Sequence, residues 1–124
     1  MCLMMNKIMN NNKLYDVLAQ DGSSFLLKMK DEHVVYQGHF PGQPITPGVL
    51  TMQMVRDCVN LLLDKQLHYT TVKNCRFVAM VRPGDKLRLN LQTEIAGDSV
   101  VVKAVLAGAD SEEDIRLQVD AELQ

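Results

Sequence analysis

Hydrophobic and polar positions change period several times along this chain, and each change marks an element. From Lys13 to Gln20 the apolar residues recur at helical spacing and stop before Asp21-Gly22, which predicts a short helical turn. Ser24 to Lys30 (Ser-Phe-Leu-Leu-Lys-Met-Lys) reads as a first strand. After a proline-rich stretch, Gly48 opens a run to about Lys65 with no later Gly or Pro, a helix roughly 27 Å long at 1.5 Å per residue. Gln53, Arg56, Asp57, Asn60 and Asp64 fall on one narrow stripe of it. Val49, Leu50, Met52, Met54, Val55, Cys58, Val59, Leu61, Leu62 and Leu63 occupy the remaining circumference. A helix that apolar should be surrounded by other structure on most sides.

The second half supplies a wrapper. Between Thr71 and Arg82, Arg76, Val78, Met80 and Arg82 alternate with Cys75, Phe77, Ala79 and Val81. Pro83-Gly84-Asp85 is a turn signal. Lys86, Arg88, Asn90 and Gln92 then alternate with Leu87, Leu89 and Leu91, a strand wetted on one face. Ala96-Gly97-Asp98 predicts another turn, and Ser99 to Ala107 a valine-rich strand. After an acidic turn at Asp110 to Asp114, Ile115, Leu117, Val119, Ala121 and Leu123 alternate with polar residues in a last strand. One buried helix, a strand before it and a meander after it make an α+β layout, with an antiparallel sheet curled around the helix. A ferredoxin-like sheet is the competing arrangement.

Length and composition narrow the function classes. At 124 residues the chain fits one domain, 1–124, with 1–12 expected as a poorly ordered extension. Hydrophobic residues make up 47% and charged residues 23%, an ordinary soluble mix. A net charge of −2 and a pI near 5.9 argue against a nucleic-acid binder that relies on positive charge. Trp is absent and aromatics are only 5%, which argues against a base-stacking platform. Cys2, Cys58 and Cys75 are odd in number and have no metal-ligand spacing, so they read as free thiols in a reducing compartment. The first residues are interrupted by Asn6, Lys7 and Asn10 to Asn12, which fits neither a signal peptide nor a membrane anchor. We expect a cytoplasmic protein.

The most specific stretch is Gly38-His39-Phe40-Pro41-Gly42-Gln43-Pro44-Ile45-Thr46-Pro47-Gly48-Val49-Leu50. Proline fixes its own φ and restricts its predecessor, so the loop presents His39 in few orientations. This stretch resembles the active-site signature of the β-hydroxyacyl-acyl-carrier-protein dehydratases, which have the hot-dog fold. The resemblance continues through Arg76-Phe77 and Arg82-Pro83-Gly84-Asp85-Lys86-Leu87, and covers roughly Ser24 to the C-terminus.

The resemblance implies roles position by position. His39 would be the base that removes the proton next to the thioester carbonyl. Gly48, at the helix start, would offer its N–H to that carbonyl oxygen, with Phe40, Pro47 and Val49 beside it in substrate binding. The residue at position 53 would face His39 across a dimer interface. There the family carries a glutamate or aspartate that protonates the departing hydroxyl; this chain has Gln53. An amide orients a hydroxyl but releases no proton near neutral pH. Three readings follow: His39 makes both transfers, a homologous subunit contributes the missing carboxylate, or the fold catalyses something else, such as thioester hydrolysis, or nothing. Asp57, one turn beyond Gln53, is a weak substitute acid, better read as a solvated aspartate paired with Lys or Arg.

Each residue also has an ordinary structural explanation. Gln53 fits the polar face of an amphipathic helix, and periodicity does not choose between that and a site role. His39 alone would be a loop-capping histidine; inside the motif its proton-abstracting role is favoured. His33 and His68 read as surface or hydrogen-bonded loop residues. No two histidines share a helix face, so we expect neither metal nor cofactor. Lys73, Arg76, Arg82, Lys86 and Arg88 cluster in sequence, either as a docking group for an acidic acyl carrier protein or as ordinary solvated strand faces. The function that the resemblance implies is a (3R)-hydroxyacyl-acyl-carrier-protein dehydratase of fatty-acid, polyene or aryl-polyene synthesis, as a homodimer or higher oligomer. The rivals are a partner subunit of a heterodimeric dehydratase and a hot-dog thioesterase.

Overall fold

The computed structural model describes residues 14–31 and 48–124. Strands β1 (Tyr15–Asp21) and β2 (Ser24–Met29) precede helix α1 (Gly48–Leu63), and β3 (Tyr69–Phe77), β4 (Lys86–Ala96), β5 (Ser99–Gly108) and β6 (Ile115–Leu123) follow it. All pairings are antiparallel, in one sheet of order β1-β2-β4-β5-β6-β3. That order excludes the ferredoxin-like alternative and gives the hot-dog arrangement of a helix against a curled sheet. The expected extension, 1–12, lies outside the described residues.

Alternation decides which strand face meets the helix. Phe25, Leu27 and Met29 of β2, Leu87, Leu89 and Leu91 of β4, and Val100, Val102, Ala104 and Leu106 of β5 are buried. Leu117, Val119, Ala121 and Leu123 of β6 complete that layer. Against it α1 lays Thr51, Met54, Val55, Cys58 and Val59. Two hairpins turn on glycine. Gly22 and Gly97 take φ +59° and +63°, the positive value that two-residue hairpin turns need at their first central position.

Four expectations need correction. The helical turn over Lys13 to Gln20 is strand β1, paired with β2 from Tyr15↔Met29 to Asp21↔Ser24. Its register shifts between Val17 and Ala19. An extra residue in a strand breaks the two-residue period, so Leu14, Val17 and Leu18 imitate helical spacing. The strand predicted over Thr71 to Arg82 begins at Tyr69 and stops at Phe77. Beyond it the N–H groups of Val78 and Ala79 both donate to the carbonyl of Arg116, at 2.9 and 3.3 Å, and the ladder ends. Thirdly, the described residues cover α1 on one side only: Val49 and Leu61 are exposed. A single sheet offers one concave face, and Val49, Gln53, Leu61 and Asp64 are exposed away from it.

The helix also ends earlier than Lys65. Asp64 adopts φ 52°, the left-handed conformation of a helix terminus. Asn60 fixes the exit, its Oδ1 accepting the Leu67 N–H at 2.8 Å and its Nδ2 donating to the Leu67 carbonyl at 3.3 Å.

Candidate active site

The N-terminal end of α1 opens onto a cleft of about 560 Å³. Gly48, Val49, Thr51 and Met52 form its helical wall. Facing them are Phe77, the last residue of β3, and the irregular segment Val78 to Val81, with Arg116 and Leu117 of β6 behind. Apart from Thr51 and Arg116 the lining side chains are apolar, which suits a hydrocarbon chain better than a sugar or nucleotide.

Gly48 occupies a position where a larger residue would have to displace the Phe77 ring. A Cβ built on it would lie 2.6 Å from Cε1 of Phe77 and 2.8 Å from Cζ. The ring therefore rests against the first turn of the helix. Thr51 donates its hydroxyl to the Gly48 carbonyl at 2.6 Å, which is why this buried polar side chain is tolerated. The first turn contains no acidic side chain. Its N–H groups lack partners within the helix and carry the positive end of the helix dipole, the arrangement that stabilises negative charge on an oxygen.

Deeper along α1, Tyr69 donates its hydroxyl to the Met52 carbonyl at 2.8 Å. The Cys75 thiol approaches the Met52 sulfur at 3.7 Å, and burial raises its pKa above the ordinary thiol value. Cys75 is therefore a packed thiol, not an activated nucleophile.

Of the residues expected in the site, Gly48 and Val49 line the cleft. Gln53 is exposed, one turn beyond Val49 on the outward face of α1, and is not among the lining residues. His39, Phe40 and Pro47 lie outside the described residues, as does His33. His68 is exposed, with Nδ1 3.5 Å from Nη1 of Arg56. Asp57 accepts the Tyr15 hydroxyl at 3.0 Å and meets Arg56 at 3.4 Å, so it is engaged as a paired aspartate. Burial first, and then the neighbouring Asp57 carboxylate, hold the Tyr15 phenol well above its ordinary value.

The basic cluster of the sequence does not become one surface cluster. Lys73 and Arg76 stand on β3, whereas Lys86 and Arg88 stand on β4, with β5 and β6 between. Three strand spacings of ~4.8 Å separate the two pairs. Lys73 meets Glu122 at 3.4 Å, and Arg88 donates to Ser24 Oγ at 3.2 Å.

Sequence reasoning missed Met52, Met80 and Arg116 as cleft residues. The two methionines carried only periodicity, and Arg116 looked like one more polar residue alternating along the last strand.

Comparison with known proteins settles the family. Residues 18–110 match the ApeI-like family, described as ApeI dehydratase. The chain belongs to the ApeI-like dehydratase family. Among curated relatives of this family member, the 3-hydroxyacyl-acyl-carrier-protein dehydratase FabZ of Latilactobacillus sakei subsp. sakei is 33% identical, over 77% of this chain and 76% of that one. The chain spans about half the length of other FabZ relatives it matches, 45% and 44% in two cases. An uncharacterized protein from Erwinia carotovora subsp. atroseptica shares the fold with TM-score 0.66 at 24% identity, covering 88% of this chain and 90% of that one. The dehydratase heterocomplex ApeI:P from Xenorhabdus doucetiae matches with TM-score 0.64 at 18% identity, covering 88% and 96%.

Among the described residues no group of three His, Cys, Asp or Glu side chains is arranged to hold a metal. No helix among them is long and apolar enough to cross a membrane.

Proposed function

We propose that this dehydratase-family chain removes water from (3R)-hydroxyacyl groups carried as thioesters on an acyl carrier protein. The observation that carries the reading is the start of α1, Gly48, opening onto an apolar cleft with no acidic side chain in its first turn. In this reading the acyl chain lies in the cleft and the thioester carbonyl oxygen accepts from the Gly48 N–H. His39 takes the proton from the carbon beside the carbonyl. The electron pair left behind closes the new double bond as the hydroxyl departs, and negative charge on the carbonyl oxygen is held by the helix end.

The departing hydroxyl needs a proton, and Gln53 has none to give near neutral pH. One route has His39 return the proton it took, with the Gln53 amide holding the hydroxyl. A second route is favoured by the exposed face around the cleft. Val49, Phe77, Val78 and Met80 are all exposed, and β3 has β6 as its one neighbour among the described residues. A second hot-dog chain covering that face would bring its own helix residue opposite His39. In a heterodimer that residue would be a carboxylic acid; in a homodimer it would be Gln53 again. The Xenorhabdus doucetiae relative is itself described as a heterocomplex. Fatty-acid, polyene or aryl-polyene synthesis in the cytoplasm is the setting we infer.

The test is enoyl absorbance from purified protein given a 3-hydroxyacyl thioester. Absorbance above a His39→Ala control supports autonomous dehydration, and none above that control rejects it. Activity that appears only when a homologue bearing the acid is co-expressed selects the heterodimer.

A further inference from the structure

The cleft wall opposite the helix is not a strand, and every hydrogen bond described for it leads to one residue. Val78 and Ala79 donate their N–H groups to the carbonyl of Arg116 at 2.9 and 3.3 Å. The Met80 carbonyl accepts from Arg116 Nη1 at 2.8 Å. That same nitrogen donates to Asp85 Oδ2 at 2.8 Å, and Asp85 Oδ2 in turn accepts the Arg82 N–H at 2.9 Å. Nε and Nη2 grip both oxygens of Asp114 at 3.1 and 2.9 Å. Only 16% of the Arg116 side chain is exposed. The side-chain bonds to Asp114 and Asp85 hold its pKa above even the usual guanidinium value. A planar guanidinium with donors in fixed directions can meet four acceptor oxygens on three residues at once; a lysine ammonium holds no such geometry.

We propose that Arg116 is a positioning residue that sets the width of the cleft, and so decides the length of acyl chain the site admits. The segment it holds, Val78 to Val81, faces Gly48, Val49 and Met52 across the cavity. With the guanidinium removed, the Met80 carbonyl loses its tie to β6, and the wall relaxes outward at Met80 between the Val78 and Ala79 bonds to the Arg116 carbonyl and the buried Val81. The Asp114 carboxylate, in the β5–β6 turn, holds the Nε and Nη2 edge of the same guanidinium and is not among the residues lining the cleft. This proposal rests on the reading that an acyl chain fills the cleft, yet its test needs no turnover.

The full chain, Arg116→Ala and Arg116→Lys are titrated with butanoyl- and decanoyl-pantetheine amides, which cannot react. The expected result is a shift of about fivefold or more in the ratio of the two dissociation constants toward the longer chain in Arg116→Ala, a change near 1 kcal/mol. Arg116→Lys should recover less than half of that shift. Amide exchange should quicken at residues 78–81 while the β4–β5 hairpin keeps its protection. An unchanged ratio beside a lowered thermal midpoint would make Arg116 a merely structural residue and overturn the proposal. Failure of the wild-type protein to bind either amide overturns it as well. Should Arg116→Ala not fold, Asp114→Asn is read in the same way, with a smaller shift in the same direction expected. A wild-type protein that selects by chain length but forms no enoyl product would lose the dehydratase reading and keep the clamp.

Discussion

The aromatic ring of Phe77 rests on the backbone of Gly48, with Cε1 2.6 Å and Cζ 2.8 Å from where a Cβ would stand. Contacts that close leave room for hydrogen alone, so the end of β3 and the start of α1 are fitted to one another through a glycine. Phe77 is 58% exposed, and its ring can swing away only by uncovering the helix end. Gly48→Ala must displace the exposed ring but gains helix propensity, so it should cost no more than about 1 kcal/mol of stability. A double-mutant cycle with Phe77→Ala should find the two positions coupled by at least about 0.5 kcal/mol. Denaturant unfolding of the four proteins measures it, and strictly additive losses would mean that the ring does not define the glycine's environment.

Gln53 separates two accounts of the chemistry. A carboxylic acid at that position could protonate the departing hydroxyl, and one positioned general acid is worth about 10²–10⁴-fold. If the chain dehydrates alone and the proton is what limits it, Gln53→Glu should raise kcat by at least about tenfold, with little change in KM. Steady-state enoyl formation decides the matter. An unchanged kcat would mean that the proton reaches the hydroxyl by another route, from His39 or from a partner chain.

Asp57 should prove dispensable for that step. It accepts the Tyr15 hydroxyl at 3.0 Å and lies beside Arg56 at 3.4 Å, and it sits nine residues beyond Gly48, roughly 13 Å along the helix axis. Asp57→Asn should leave enoyl formation within about twofold and stability within about 1 kcal/mol, because the amide oxygen still accepts from the Tyr15 hydroxyl. Loss of turnover with stability intact would restore Asp57 as an acid.

The fold was legible wherever one face of an element is buried and the other wet. Leu87, Leu89 and Leu91 against Arg88, Asn90 and Gln92 announce β4 directly, because burial on one face selects apolar residues at every second position. β1 was misread because a bulge at Leu18 puts Val17 and Leu18 side by side, and single-sequence periodicity does not register an inserted residue. Gly48 could be picked out because a motif and a helix start coincide there. Arg116 could not, since its partners Met80, Asp85 and Asp114 are brought to it by the sheet order and by two turns, and pairwise contacts of that kind leave no local pattern. The dispersal of the basic residues has the same cause: β3 and β4 are consecutive in the chain yet lie three places apart in the sheet.

Stability should fall in alkali, and two phenols, the buried Tyr15 and the half-buried Tyr69, give the reason. Burial, chiefly, holds both Tyr15 and Tyr69 well above the ordinary tyrosine value, with Asp57 adding to the effect at Tyr15 and Cys75 at Tyr69. In the unfolded chain each phenol loses its proton near pH 10. Below that pH both states are protonated and their contribution to stability is complete. Above it the unfolded chain binds fewer protons than the native one, so unfolding becomes easier as the pH rises. For Tyr15, which is 6% exposed, the slope approaches about 1.4 kcal/mol per pH unit; the half-buried Tyr69 contributes less. Urea midpoints measured from pH 8 to pH 11 should decline beyond pH 10 in the wild-type protein. In Tyr15→Phe the midpoint should start lower, because the bond to Asp57 is gone, and then decline less steeply. A parallel decline in both proteins would assign the alkaline transition to other groups.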